Sequence, residues 1–230
     1  MVKSFLIFIS LQIFLYAREQ IILVIADDIN LSKAKMWCFE DGKKVFGDFD
    51  VNIGKNGLGA GLGEIELKGM QNIVKKYEGD KKAPIGIFKL TSVFGYERDK
   101  KLKMPYIYAN KDLICVDDSK HKHYNQIINI PDIKPDSFEY MKRDDEQYKL
   151  GIVVKHNKNQ IPKRGSCIFI HIQKSKDTPT AGCTSMSYDD IKKLTSWLDK
   201  EKNPLLIQIP SSMLDEVKYL YPFIKRYNLR

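Results

Sequence analysis

The sequence predicts an α+β protein, one domain built on a dominant mixed β-sheet, with its helix signals late in the chain. Three observations carry this. From Gln20 to Ile172 the apolar residues come in short runs or in alternation, bounded by Gly, Pro, Asn and Asp, which is the pattern of strands and turns. Helical periodicity first stands out after Ser187. No internal repeat and no low-complexity linker divides the chain, so a single layered unit over 18–230 accounts for it.

The elements follow in order. "IILVIADD" is a compact apolar run, and "KMWCFEDGKKVF" sets Asp41-Gly42 between two half-apolar runs, a hairpin signature. "DFDVNIG" alternates. Residues 54–63, "GKNGLGAGLG", hold five glycines in ten residues. No Lys-Ser/Thr pair ends that loop and no helical pattern follows at once, so it reads as a flexible or tightly packed loop and not as a phosphate cradle. "APIGIFKLTSVFGY" and "DLICVDD" are strand-like, with Pro84 and Gly86 arguing against helix. "YKLGIVVKHN" and "SCIFIHI" form a second β-rich stretch. Ser187 and Asp190, ahead of Ile191, Leu194, Trp197 and Leu198, predict an N-capped amphipathic helix that ends near "EKNP". "LLIQIP" reads as a buried strand, and "SSMLDEVKYLYPFIKRYNL" as a closing helix interrupted by Pro222.

The first seventeen residues, "MVKSFLIFISLQIFLYA", carry Lys3, an apolar run from Phe5 to Tyr16, and Ala17. That order is the order of a secretory signal peptide, too short and too early for a membrane span. The expectation is an exported protein, periplasmic or associated with the cell wall, with no stable membrane insertion once 1–17 are removed; a retained N-terminal anchor is the alternative. The formal net charge of +9 falls by one with that segment. Such an excess favours encounter with anionic surfaces, including wall polymers, but the basic residues are interleaved with acids along the chain ("KKYEGDKK", "YERDKKLKM") and suit a solvated surface equally. Nucleic acid is not an expected partner of an exported chain. The four cysteines, Cys38, Cys115, Cys167 and Cys183, show no CxxC and no zinc spacing; disulfides are open to an exported chain, but an even count does not oblige all four to pair.

The segment "CIFIHIQKSKDTPTAGCTSM" places His171 at the end of an apolar run and Cys183 behind Gly182 among small and hydroxyl side chains. A cysteine nucleophile needs a base or positive potential to become thiolate, and donors that receive the oxyanion. Gly182 permits an unusual backbone angle, so N–H groups at and next to Cys183 can be aimed at a carbonyl oxygen. The helix beginning after Ser187 is expected to turn its positive end toward the thiol and lower its pKa. The other reading of the same residues, a hydrogen-bonded core histidine and a small buried cysteine, stays open from spacing alone.

The residues "HIQKSKDTPTAGCTSM" resemble the active-site segment of the L,D-transpeptidase catalytic domain, the YkuD-type family, whose motif is a histidine, a loop, then Ser/Thr-x-Gly-Cys. Thr180, Gly182 and Cys183 match that motif and His171 its upstream histidine. "GKNGLGAGLG", "KKYEGDKKAPIGIFKLTSVFGY", "CVDDSKHKHYNQII", "SFEYMKRDDEQYKLGIVVKHN" and "WLDKEKNPLLIQIP" agree in order, so the resemblance covers almost the whole of 18–230. Many members carry His at the place of Ala181 and Arg or Asn at the place of Ser185, with a longer loop between His and Cys; this chain resembles a branch with a short loop and a Thr-Ala-Gly-Cys core.

The resemblance implies a β-rich YkuD-like catalytic domain in which Cys183 attacks the carbonyl of an L-to-D peptide bond in a peptidoglycan stem peptide. His171 would take the thiol proton and later serve the leaving amine, and Gly182 with the Cys183 N–H would form the oxyanion site. An amine of a neighbouring stem or of a wall-linked protein as acceptor makes a transpeptidase; water makes a carboxypeptidase or endopeptidase. A third reading is a non-catalytic wall-binding module, against which the retention of both Cys183 and His171 speaks. Thr180 and Ser185 are implied to support the site or to satisfy the loop backbone, and Asp118, Tyr124 and Asn125, in "DDSKHKHYN", to line or support the cleft. His121 and His123 in that loop invite a metal, but they lack a third ligand, so no metal and no cofactor are expected. His156, ending a strand, reads as a loop-satisfying residue.

Overall fold

The computed structural model describes residues 19–98 and 100–229. The expected signal segment 1–17 lies outside them. Among the described residues there are thirteen strands: β1 Gln20–Ala26, β2 Lys33–Glu40, β3 Lys43–Asn52, β4 Leu58–Ala60, β5 Ala83–Gly95, β6 Tyr106–Tyr108, β7 Leu113–Val116, β8 Ile127–Asn129, β9 Phe138–Tyr140, β10 Leu150–Val154, β11 Phe169–Ile172, β12 Thr184–Met186 and β13 Leu205–Pro210. The two α-helices, α1 Tyr188–Trp197 and α2 Leu214–Leu220, come late, as the periodicity predicts.

Ten strands form one mixed sheet in the order β10-β11-β12-β3-β2-β1-β13-β5-β4, with β6 beside β5. Strand β5 is long enough to serve both ends of that path. Its first half pairs with β13 and its second half with β10, so the sheet returns on itself. The apolar run of β1 lies between antiparallel β2 and parallel β13 and is buried at every residue, which is why it shows no alternation. Asp41 and Gly42 both have positive φ, 50° and 77°, and close the β2–β3 hairpin with the twist that such turns require.

The glycine-rich stretch is tightly packed, and part of it is strand. Leu58–Ala60 runs parallel to the start of β5, and a Cβ on Gly54 would stand 2.5 Å from backbone atoms of Lys81 and Ala83. Helix α1 is capped by Ser187, whose hydroxyl accepts from the Asp190 N–H at 3.2 Å, and buries Ile191 and Leu194 against β10 and β11. Pro222 ends the regular part of the closing helix, and a short 3-10 turn, Pro222–Arg226, follows.

A separate three-stranded sheet, β8-β7-β9, lies over β11 and β12. Its β7 carries Cys115, which forms a disulfide with Cys167, two residues ahead of β11. Cys115, Cys167, Cys183, Phe169, Phe94, Met141 and Tyr148 make a second apolar cluster, apart from the main core. The two sheets therefore meet at the cysteine singled out by the sequence.

Candidate active site

Strands β11 and β12 are adjacent and parallel, with His171 level with Ser185 and Ile170 level with Thr184. Phe169 lies beside Cys183, since its N–H donates to Cys183 Sγ at 3.3 Å. Side chains two residues apart along a strand share a face. His171 thus stands on the same face as Phe169, and Tyr148 packs edge-on against both rings, at 5.5 Å from Phe169 and 5.3 Å from His171. The fold brings thiol and imidazole to one face of neighbouring strands.

The turn that presents Cys183 is built by Thr180. Its hydroxyl donates to the Cys183 carbonyl at 2.6 Å and accepts from the Gly182 N–H at 3.1 Å. Its own backbone is pinned to the end of β3, through Thr180 N–H to the Ile53 carbonyl and Lys55 N–H to the Thr180 carbonyl, both 2.9 Å. Gly182 has φ of 143°, and a Cβ there would meet the Lys82 carbonyl oxygen at 2.9 Å, so both conformation and space require glycine. The Gly182 N–H is spent inside the turn. The Cys183 N–H makes no hydrogen bond outside the strand ladder among the described residues, which leaves it as the donor available to an oxyanion.

Electrostatics correct one expectation. The thiol is not lowered by the helix; burial, with Glu139 as the next cause, pushes Cys183 up to about 12. Strand β12 separates Cys183 from the N-cap Ser187, and a helix dipole fades within a turn. The Phe169 N–H, Lys76 and Arg143 oppose the rise without overcoming it. His171 is 5% exposed and burial holds it down to about 4, so it is neutral. Its Nδ1 lies 2.8 Å from the Ile172 carbonyl oxygen, which only accepts, so Nδ1 carries the proton and Nε2 the lone pair. No hydrogen bond joins Cys183 to His171 among the described residues, because the thiol is turned toward the Cys167 carbonyl, 3.5 Å away. The resting pair is a neutral thiol and a neutral imidazole whose Nε2 has no hydrogen-bond partner among the described residues.

The remaining residues singled out by the sequence occupy different places. Ser185, level with His171, is buried and its hydroxyl has no partner among the described residues. Asp118 caps its own loop, accepting from the N–H groups of Lys120 at 2.9 Å and Asp136 at 3.2 Å. Tyr124 is buried and donates to Glu78. Asn125 is a clamp, donating to the carbonyls of His156 and Asn157 and accepting from the Cys167 N–H at 3.0 Å, which fixes the loop after β7 to the disulfide. Among the described residues none of these three is hydrogen-bonded to Cys183 or His171. His156 accepts from Leu62 N–H at Nδ1 and donates from Nε2 to the Arg164 carbonyl at 2.9 Å. His123 pairs with Gln126, and among the described residues no group of three or more His, Cys, Asp or Glu is disposed to hold a metal.

Sequence reasoning missed Tyr148 and Glu139. Tyr148 donates to Glu139 at 2.6 Å, and the Arg143 guanidinium lies 5.0 Å from the Tyr148 ring centre. Glu139 comes from the small sheet, directly opposite Cys115. Nothing in "SFEYMK" marks that carboxylate as a neighbour of Cys183; only the pairing of β9 with β7 and the disulfide put it there.

The YkuD family model, described as the L,D-transpeptidase catalytic domain, matches residues 28–207, a span that contains both His171 and Cys183. No curated protein and no solved structure gives a significant match.

Proposed function

The chain belongs to the L,D-transpeptidase catalytic domain family, and from that premise we propose that it is an exported cysteine L,D-transpeptidase acting on peptidoglycan stem peptides through a thioester on Cys183. One observation carries the reading: Cys183 and a neutral His171 with its Nε2 unprotonated share a face of adjacent strands inside the family match. Cys183 Sγ attacks the carbonyl carbon of an L-to-D peptide bond as its proton passes to His171 Nε2. The Cys183 N–H receives the developing oxyanion. The C–N bond then breaks, His171 returns the proton to the leaving amine, and the acyl group remains on sulfur. An acceptor amine, from a second stem or a wall-linked protein, displaces Cys183 and restores the thiol. The thiol donates to the Cys167 carbonyl at rest, so its S–H turns away from that oxygen before the proton passes to His171.

Purified protein incubated with defined muropeptides tests this by the masses of its products. Loss of the residue beyond the L-to-D bond with gain of an acceptor stem is the expected result. Loss without gain assigns the thioester to water and makes the enzyme a carboxypeptidase; unchanged muropeptides would sink the enzymatic reading. Export is proposed from the Lys3, Phe5 to Tyr16, Ala17 order. Intact mass of protein from the exported fraction checks it, and a mass that includes Met1 to Ala17 counts against removal.

A further inference from the structure

The segment "KYEGDKK" reads as a solvated charge run, yet Lys76 is only 3% exposed. Its backbone is fixed on both sides, by its N–H to the Ala60 carbonyl at 2.9 Å and by Arg164 Nε to its own carbonyl at 3.0 Å. The side chain passes Gly165, where a Cβ would meet Lys76 Cε at 2.9 Å. It ends behind the nucleophile turn: a Cβ on Gly182 would lie 3.5 Å from Lys76 Nζ. Asp80 Oδ1 accepts from Nζ at 2.8 Å and from the Lys82 N–H at 2.8 Å, and Asp80 Oδ2 accepts from the Tyr77 N–H at 2.9 Å. The carboxylate is thus tied to backbone, and it anchors the ammonium. Asp80 is the one acceptor of Lys76 Nζ among the described residues, although an ammonium has three N–H groups to give.

Burying an ammonium carries a desolvation penalty that its partner must repay, and a well-packed apolar pair would often tie the same segments at least as well. What the lysine adds is position. We propose that Lys76 is a positioning residue for the cysteine chemistry: anchored by Asp80 behind Gly182, its charge favours the anionic states of Cys183, thiolate and tetrahedral oxyanion. The inference rests on Cys183 being the nucleophile. The charged and titratable groups facing Cys183 are Glu139 from β9, Arg143 from the loop after it, Tyr148, His171 from β11, and Lys76. Glu139 opposes ionisation of the thiol; Arg143 and Lys76 favour it. Arg143 is paired with Asp145 through two hydrogen bonds, at 2.9 and 2.6 Å, as Lys76 is with Asp80, so pairing does not separate the two cations and place does: Lys76 Nζ lies 3.5 Å from where a Cβ on Gly182 would stand. That leaves Lys76 as the cation set against the turn itself.

Two variants test this, chosen so that at least one avoids an uncompensated buried charge. Lys76→Gln keeps one N–H for Asp80; Lys76→Met with Asp80→Asn removes both charges together. Thermal melts identify the folded variant. The rate of iodoacetamide labelling at Cys183, followed by peptide mapping from pH 8 to 10, reads thiol ionisation without substrate. Below its pKa a thiol labels in proportion to its thiolate fraction, so a rise of about one pH unit appears as about tenfold slower labelling across that range. The expected result is that loss, with a similar fall in muropeptide kcat and a KM within about twofold. A folded variant with wild-type labelling and kcat overturns the proposal and leaves the pair a structural tie. Because labelling needs no turnover, a Cys183→Ala protein that stays active would refute the nucleophile separately, without touching the labelling result.

Discussion

At the scale of single residues, burial decides the resting state of Cys183 and His171. A thiol pushed up to about 12 and an imidazole held down to about 4 do not form a resting ion pair. The role proposed for His171 is therefore that of a general base during attack, not of a standing counter-ion. Cys183→Ala and His171→Ala should each remove most turnover, by about 10³-fold or more, and the double variant should be little worse than either single one, since groups that act as a unit are non-additive. Muropeptide turnover per folded molecule, with a melt on each variant, is the measurement. A folded His171→Ala protein at near wild-type rate would strip the mechanism of its base. The same burial bears on how fast the expected thiol, Cys183, reacts. Cys115 and Cys167 are oxidised, and Cys38 is fully buried with its thiol pushed up further than that of Cys183, so labelling should favour Cys183 but run slowly at neutral pH.

At the scale of elements, the small β8-β7-β9 sheet is held over the site by one covalent link and one clamp. The disulfide closes 52 residues between Cys115 and Cys167, and Asn125 fixes the Cys167 N–H. A loop of that length contributes about 4 kcal/mol on the chain-entropy account. Reduction should lower Tm by roughly 10 °C for a chain of this size and reduce turnover, because Glu139 and the wall over Cys183 belong to that sheet. Melts with and without reductant check this. An unchanged Tm would mean that packing alone seats the sheet.

At the scale of the whole molecule, stability should fall on acidification. His156 and His171 are both held down to about 4 by burial, against an ordinary value of 6.5. Between those values the unfolded chain binds protons that the folded chain does not, so each histidine withdraws up to about 3 kcal/mol as pH falls through that window. Asp145, kept below its usual range by Arg143, extends the loss to lower pH. On the alkaline side the sign reverses: the unfolded Cys183 thiol ionises above 9.0 and the folded one near 12, so stability falls as pH rises between them. Urea unfolding at pH 7 and pH 4.5 should show the acid loss. Equal midpoints would mean that the histidines take up protons without unfolding.

The sequence by itself determined what local pattern and local chemistry can encode. The longer strands β1, β2, β3, β5, β7, β10, β11 and β13, the Asp41-Gly42 hairpin, the Ser187 cap, the break at Pro222 and the Thr180-Gly182-Cys183 turn all depend on residues within a few positions of one another, and each is legible there; the three-residue strands β4, β6, β8, β9 and β12 are not, β4 lying in the stretch that reads as a loop. Tertiary structure decided everything that depends on which distant segments meet. The parallel pairing of β11 with β12 sets His171 and Cys183 on one face, and the disulfide brings Glu139 above the thiol. The packing of β4 and the Gly165 loop drives Lys76 behind Gly182 although its neighbours read as surface charge. A pKa follows from desolvation and from charges gathered from several strands, so the direction of the Cys183 shift was set by burial and not by the helix that follows it in the chain.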